Sequence, residues 1–207
     1  MKRTQVKTNP MARGEPAVSL VRLIAPTPAE VAAAEVAALK PVVEPALDLD
    51  GLFRRYSPYV AAIAHRLLGR DEDVDDTIQE VFVAAVRGVH AVRDPAAIRG
   101  WLARVTVRVA RQRLRKRRVR VFLGLDEPVV YDAVVDRSAS AEQRALVSRV
   151  YSILDGMPAN QRIAWALRHI EGEPLENVAS LSGCSLATAK RRISAAAQKL
   201  EEAFGDV

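Results

Sequence analysis

RGWLARVTVRVARQRLRKRRVR, from Arg99 to Arg120, holds ten Lys or Arg residues and no Asp or Glu. The pattern reads as one amphipathic helix, and the rest of the chain is read outward from it. Arg104, Arg108, Arg111, Arg115 and Arg118 recur at helical spacing on one face, while Ile98, Leu102, Val105 and Val109 recur on another. Asp94 ahead of Pro95 supplies a start signal, because Asp is a good N-cap and the fixed φ of proline suits a first helical turn. A solvated structural helix normally intersperses carboxylates three or four residues from its cations, since like charges at that spacing repel. Their absence here points to a polyanionic ligand.

The basicity is local. The 207 residues carry 31 Lys+Arg against 25 Asp+Glu, a net charge of +6; without the ten basic residues of this stretch the count is 21 against 25, or −4. A basic stripe on an acidic remainder fits docking of nucleic acid at a defined surface better than general adhesion to membranes or polyanions. Cys184 is the single cysteine, which excludes an intramolecular disulfide. No uncharged apolar run approaches the ~18 to 20 residues of a membrane span. Arg22 breaks the apolar candidate from Ala17 to Ala25, so no secretory signal is read and a soluble, cytoplasmic protein is expected.

Toward the N-terminus, Asp71, Glu72, Asp73, Asp75, Asp76 and Glu80 lead into Ile78, Val81, Phe82 and Val86. This is a second amphipathic helix, acidic where the first is basic, with Asp71 as its N-cap and its acids at the positive end of the helix dipole. Asp71, Asp73 and Asp75 mimic the first ligands of a calcium loop, but Asp76 stands where that loop needs Gly and Phe82 where it needs Glu. No second acidic cluster faces this one, so no metal is expected. Upstream, Asp50 caps a helix from Gly51 with Leu52, Phe53 and Tyr56 apolar; Ser57 and Pro58 restart the chain in another helix, which Gly69 ends. Residues 1 to about 45, with Pro10, Pro16, Pro26, Pro28, Pro41 and Pro45, read as a largely disordered extension holding one short Ala-rich helix from Ala29 to Leu39.

Toward the C-terminus, Val121 to Ser140 contains Gly124, Pro128 and four acids and reads as an extended linker. Helical patterning returns with Ala145, Leu146, Val150 and Leu154, and again from Asn160 to Ile170. A short helix from Pro174, a turn through Ser182, Gly183 and Cys184, and a longer helix from Ser185 to about Phe204 have the spacing of a helix-turn-helix. Ala179 allows close crossing, Gly183 can take the left-handed turn, and Val178, Leu181, Ala189 and Ile193 can pack inward. The fold class expected is all-α: two small helical domains, 46–121 and 141–207, joined by a flexible linker, 122–140, the second domain containing the helix-turn-helix.

In this order the elements resemble one family, the extracytoplasmic-function sigma factors of bacterial RNA polymerase. The resemblance rests on Asp73-Val-Asp-Asp-Thr-Ile-Gln-Glu-Val-Phe82, Gly100-Trp-Leu-Ala-Arg-Val105, Met157-Pro-Ala-Asn-Gln-Arg162, Glu171-Gly172 and Ser185-Leu-Ala-Thr-Ala-Lys-Arg-Arg192. It implies that Asp75, Asp76, Gln79 and Glu80 face core RNA polymerase. It also implies that Arg104, Arg108, Arg111, Arg115 and Arg118 follow the −10 promoter DNA, with the loop from Val89 to Asp94 holding an unstacked base. Ser185, Ala187, Thr188, Lys190, Arg191 and Arg192 match the family's positions facing the −35 element; Thr188 and Arg191 are the candidates for base edges, Lys190 and Arg192 for phosphates. An anti-sigma factor is an implied partner. Trp101, beside Leu102 and Val105, reads as core before it reads as a stacking platform.

Departures exist. Val107-Arg108 stands where the family often has Arg-Asn, Gln112 where Asp is frequent, and Ala195, Ala196 and Ala197 where basic residues are usual, which predicts a weaker phosphate grip by the second domain. Two other functions compete. A stand-alone helix-turn-helix regulator has no need of a phosphate track beside an acidic helix. An enzyme on nucleic acid needs a site, and His65, His90 and His169 lack metal-ligand spacing, with no nucleophile pattern or phosphate loop nearby, so no catalytic residue and no cofactor is expected.

Overall fold

Among the residues that the computed structural model describes, 49–69, 71–125, 131 and 140–205, all regular structure is helical. Helix α1 (Leu49–Leu68) runs unbroken through Pro58, where the sequence predicts a restart. Proline removes one bond to the Arg54 carbonyl, but both residues are exposed, so water can take that carbonyl. Leu52 and Val60, buried on either side of it, draw the two halves of the helix onto one core. Gly69, at φ 72, ends α1 with its N–H donating to the His65 carbonyl at 2.7 Å. Helix α2 (Asp71–Gly88) follows. Helix α2 already includes Asp71, which the sequence places ahead of it as N-cap; the extension with its Ala-rich helix and most of the linker lie outside the described residues.

The Asp94 carboxylate accepts from the Ala96 N–H at 2.9 Å and starts a 3-10 turn, Pro95–Ala97, which feeds α3 (Ile98–Phe122). The basic stretch is thus one helix. Helix α4 (Ala141–Asp155) opens on a capping box: the Ser140 Oγ accepts from the Gln143 N–H at 3.2 Å, and the Gln143 Oε1 accepts from the Ser140 N–H at 2.8 Å. Helices α5 (Ala159–His169), α6 (Leu175–Ser182) and α7 (Leu186–Gly205) complete the fold.

Two apolar clusters hold these helices. The first packs α1, α2 and α3 through Leu52, Val60, Val81, Leu102, Val105 and Val109. The second does not stay within one half of the chain. Leu67 of α1 and Ala103, Val107, Ala110 and Leu114 of α3 join Tyr151, Trp165 and Leu167 in it. The two helical halves are therefore packed on each other, which a reading of separate domains on a linker does not anticipate. The cause lies in α3, whose second apolar face is built of small and medium side chains between arginines. In the same cluster Ala196 is fully buried, so one of the alanines taken as missing phosphate contacts is a core residue.

Candidate nucleic-acid interface

The arginines of α3 divide by what they meet. Arg113, only 18% exposed, is ion-paired with three carboxylates of α2: Asp73 at 3.9 Å, Asp76 at 3.1 Å and Glu80 at 2.6 Å. Arg117 pairs with Asp155 of α4 at 2.7 Å. Neither lies on the face predicted for DNA. Arg104, Arg108, Arg115 and Arg118 on that face are exposed and Arg111 is half-buried, and none of the five has a carboxylate partner among the described residues. The absence of acids within the stretch is thus compensated tertiarily at Arg113 and Arg117, and left uncompensated along one face.

Arg111 sits where both halves meet. Its Nη1 donates to the Ser182 carbonyl at 2.9 Å. Burial, then the cations Arg115, Arg192 and Arg108, hold its guanidinium below the ordinary arginine range. A cavity of about 310 Å³ opens beside it, lined by Trp101, Arg104 and Arg108 from α3 and by Ser180, Leu181 and Gly183 from the helix-turn-helix. The Trp101 ring is half-buried against the first core and fills the space over Gly88, so it belongs to packing as the sequence indicates. Val89, read as the start of a base-holding loop, is buried; His90, Ala91, Arg93 and Asp94 after it are exposed.

The acidic residues share the exposed side of α2. Asp75 and Gln79 are exposed, and Asp76 and Glu80 keep 62% and 47% of their side-chain surface while bound to Arg113. Arg113 is the residue that sequence reasoning passes over. Its displacement by two positions from Arg111, about 200° around the helix, was the signal that it serves a different face.

In the helix-turn-helix, Gly183 adopts φ 61 and ψ 48, and the Cys184 N–H returns to the Ala179 carbonyl at 3.0 Å. That is the left-handed helix end for which Gly has no Cβ penalty. The Ser185 Oγ accepts from the Thr188 N–H at 3.2 Å and lies 2.9 Å from the Thr188 hydroxyl. Ala187, Lys190 and Arg191 are exposed with Ser185, whereas Thr188 and Arg192 are half-buried. The Arg192 Nη1 is buried with no hydrogen-bond partner, on the side of Arg111.

A buried polar seam escapes sequence reasoning. Arg66 of α1 donates through Nε to Glu171 at 2.7 Å, both side chains about 5% exposed. Arg162, 1% exposed, donates to the carbonyls of Leu67 at 3.1 Å and Leu68 at 2.7 Å and pairs with Asp155. The Tyr151 hydroxyl donates to the Arg66 carbonyl at 2.8 Å. The left-handed Gly172 shapes the turn after α5 that carries Glu171.

Comparison with known proteins agrees with this architecture. Residues 52–120 match the family described as Sigma-70 region 2, and residues 148–200 match Sigma-70, region 4. The chain is 32% identical over 158 residues to the ECF RNA polymerase sigma factor SigE of Mycolicibacterium smegmatis, covering 74% of this chain and 60% of that protein. It is 26% identical over 159 residues to the ECF RNA polymerase sigma-E factor of Haemophilus influenzae, covering 72% of this chain and 84% of that one. The fold is similar to that of the sigma factor RpoE in complex with the anti-sigma factor NepR from Bartonella quintana, with a TM-score of 0.58 at 22% identity over 76% of this chain and 97% of the other. CnrH in complex with the cytosolic domain of CnrY is also similar, with a TM-score of 0.51 at 24% identity over 76% and 88% of the two chains.

Proposed function

Because the chain belongs to the sigma-70 family, among its extracytoplasmic-function members, we propose that it is a promoter-specificity subunit that binds core RNA polymerase, reads the −10 and −35 elements and opens DNA for initiation. The observation that carries this is the single α3 face of five arginines without carboxylate partners, set on the same three-helix unit as an acidic helix. The two surfaces have opposite charge and suit different partners. Asp75, Asp76, Gln79 and Glu80 are assigned to polymerase, and Arg104, Arg108, Arg111, Arg115 and Arg118 to the −10 DNA. Ser185, Ala187, Thr188, Lys190, Arg191 and Arg192 are assigned to the −35 element, where base contacts specify and phosphate contacts position. No catalytic step is assigned to the chain, and its place of work is the bacterial cytoplasm. Among the described residues no helix is long and apolar enough to cross a membrane.

An anti-sigma factor is a further proposed partner, supported by the similar proteins RpoE and CnrH, whose structures hold NepR and CnrY. Purified chain added to core polymerase tests the central reading. Co-elution on gel filtration and promoter-dependent run-off transcripts are expected; absence of co-elution would refute it.

A further inference from the structure

We propose that the cavity between the end of α3 and the start of α5 binds a small amphiphilic oxyanion, a carboxylate or phosphate head carried on an apolar body. The binding stands apart from the promoter-reading function above; its effect on transcription rests on that reading.

The cavity measures about 470 Å³, within the ~300–1,000 Å³ of small-molecule sites. Its lining has two characters. Val119 and Phe122 of α3 meet Pro158 and Ala159 of α5 in an apolar wall, and Arg115 and Arg118 bring two guanidinium groups to the same space. Phe122 is 88% exposed and Val119 57%, on a helix whose aliphatic side chains Ile98, Leu102, Val105, Val109 and Leu114 are all buried. Covering apolar surface of this kind drives association, so the wall suits an apolar ligand body.

The head group follows from charge. Arg115 and Arg118 are exposed, stand about one helical turn apart and have no carboxylate partner among the described residues. A guanidinium is a planar fork that takes the oxygens of a carboxylate or phosphate in pairs. Asn160 supplies a third polar group. Its Oδ1 is buried without a hydrogen-bond donor, and a half-turn of the amide exchanges that acceptor for the NH2 group that an anion needs. The first turn of α5 has no side-chain cap, so its N–H groups add positive potential at the same wall.

Other occupants fit less well. A DNA strand uses the arginines but gains little from Val119, Phe122 and Pro158. A neutral apolar molecule excludes water from two cations and Asn160 without compensating them. Because Arg115 and Arg118 are also assigned to the −10 face, an occupied cavity competes with promoter DNA for them.

Phenylbutyrate, phenylbutanol and acetate, which carry both features, the apolar body alone and the charge alone, are titrated into the isotope-labelled full-length chain with amide NMR shifts as the readout. Phenyl phosphate runs beside them, and the tighter of the two amphiphiles identifies the head group. The amides of Phe122, Ala159 and Asn160 are expected to shift saturably, with the better amphiphile binding about tenfold or more tightly than phenylbutanol or acetate. Phe122→Ser, and Arg115→Gln with Arg118→Gln, are each expected to weaken it by about tenfold. These side chains are exposed, so the remaining spectrum reports an intact fold. Comparable binding of phenylbutanol or acetate, scattered shifts, or unchanged affinity in both variants overturns the site. Shifts of the same amides on dilution without ligand would give this face to a second copy of the chain, and would overturn it too. In run-off transcription with core polymerase, the amphiphile is expected to lower initiation by wild type and to spare the Phe122→Ser chain. An equal response of both chains overturns the competition. Saturable binding with no run-off from either chain leaves the site standing and removes the promoter-reading function instead.

Discussion

Gly69 is the residue on which the seam turns. It holds φ 72, and a Cβ there would lie 2.6 Å from Cδ1 of Tyr151 and 3.0 Å from Cδ1 of Tyr131. Gly69→Ala therefore combines backbone strain with displacement of the ring whose hydroxyl holds the Arg66 carbonyl. A loss of about 2–4 kcal/mol is expected, visible as a lower urea midpoint; an unchanged midpoint would show that the ring moves freely. On the DNA face, the cleanest probe is Arg104→Ala with Arg108→Ala. Both side chains are exposed, whereas Arg111 also holds Ser182, so its removal would disturb the seam as well. Polymerase co-elution should persist and promoter opening should fall, with the salt slope of promoter binding reduced by about two units if both residues meet phosphates. Undiminished opening with an unchanged slope would move the DNA track to another face.

At the scale of elements, local rules explain most helix ends. The Ser140 and Gln143 capping box starts α4. Ser140→Ala should cost about 1 kcal/mol in urea unfolding, and Thr at the same position should recover most of it. Where local rules fail, tertiary burial wins, as in α1, which continues through Pro58 because its exposed side tolerates the lost bond. Helix α3 illustrates the harder case. One face, with Leu102, Val105 and Val109, is plain in the sequence; the other, with Ala103, Val107, Ala110 and Leu114, is scattered among arginines and becomes apolar surface only against a second body. Arg113 was equally hidden, since its carboxylate partners Asp73, Asp76 and Glu80 stand 33 to 40 residues earlier on another helix.

For the whole molecule, the docked arrangement carries a pH dependence. Burial, opposed by Arg66, pushes the Glu171 carboxyl up to about 7 from an ordinary 4.5. Facing it are Arg66, Glu173, Tyr59 and Tyr151, and burial raises both tyrosines, so they stay neutral in this range. The folded chain thus holds a proton that the unfolded chain, with Glu171 in water, releases more readily. The contribution of Glu171 to folding is greatest below about pH 4.5 and falls as pH rises toward 7. The urea midpoint measured from pH 5 to 8 should decline across this window, and Glu171→Gln should flatten the profile; a profile that rises with pH would show that the ion pair outweighs its burial.

By itself the sequence determined the all-helical class, the helix-turn-helix and the opposite charge of α2 and α3. Each of these depends on periodicity, caps and turn residues within about one helix length, which physical chemistry reads directly. The five arginines recognised by spacing do share one carboxylate-free face of α3. Only the tertiary structure decided that the two halves share a core, that Arg113 serves α2, and that Arg162 and Glu171 reach the end of α1 from 94 to 105 residues away. No local pattern encodes these contacts, because a charged side chain becomes a buried clamp only when a distant surface removes it from water.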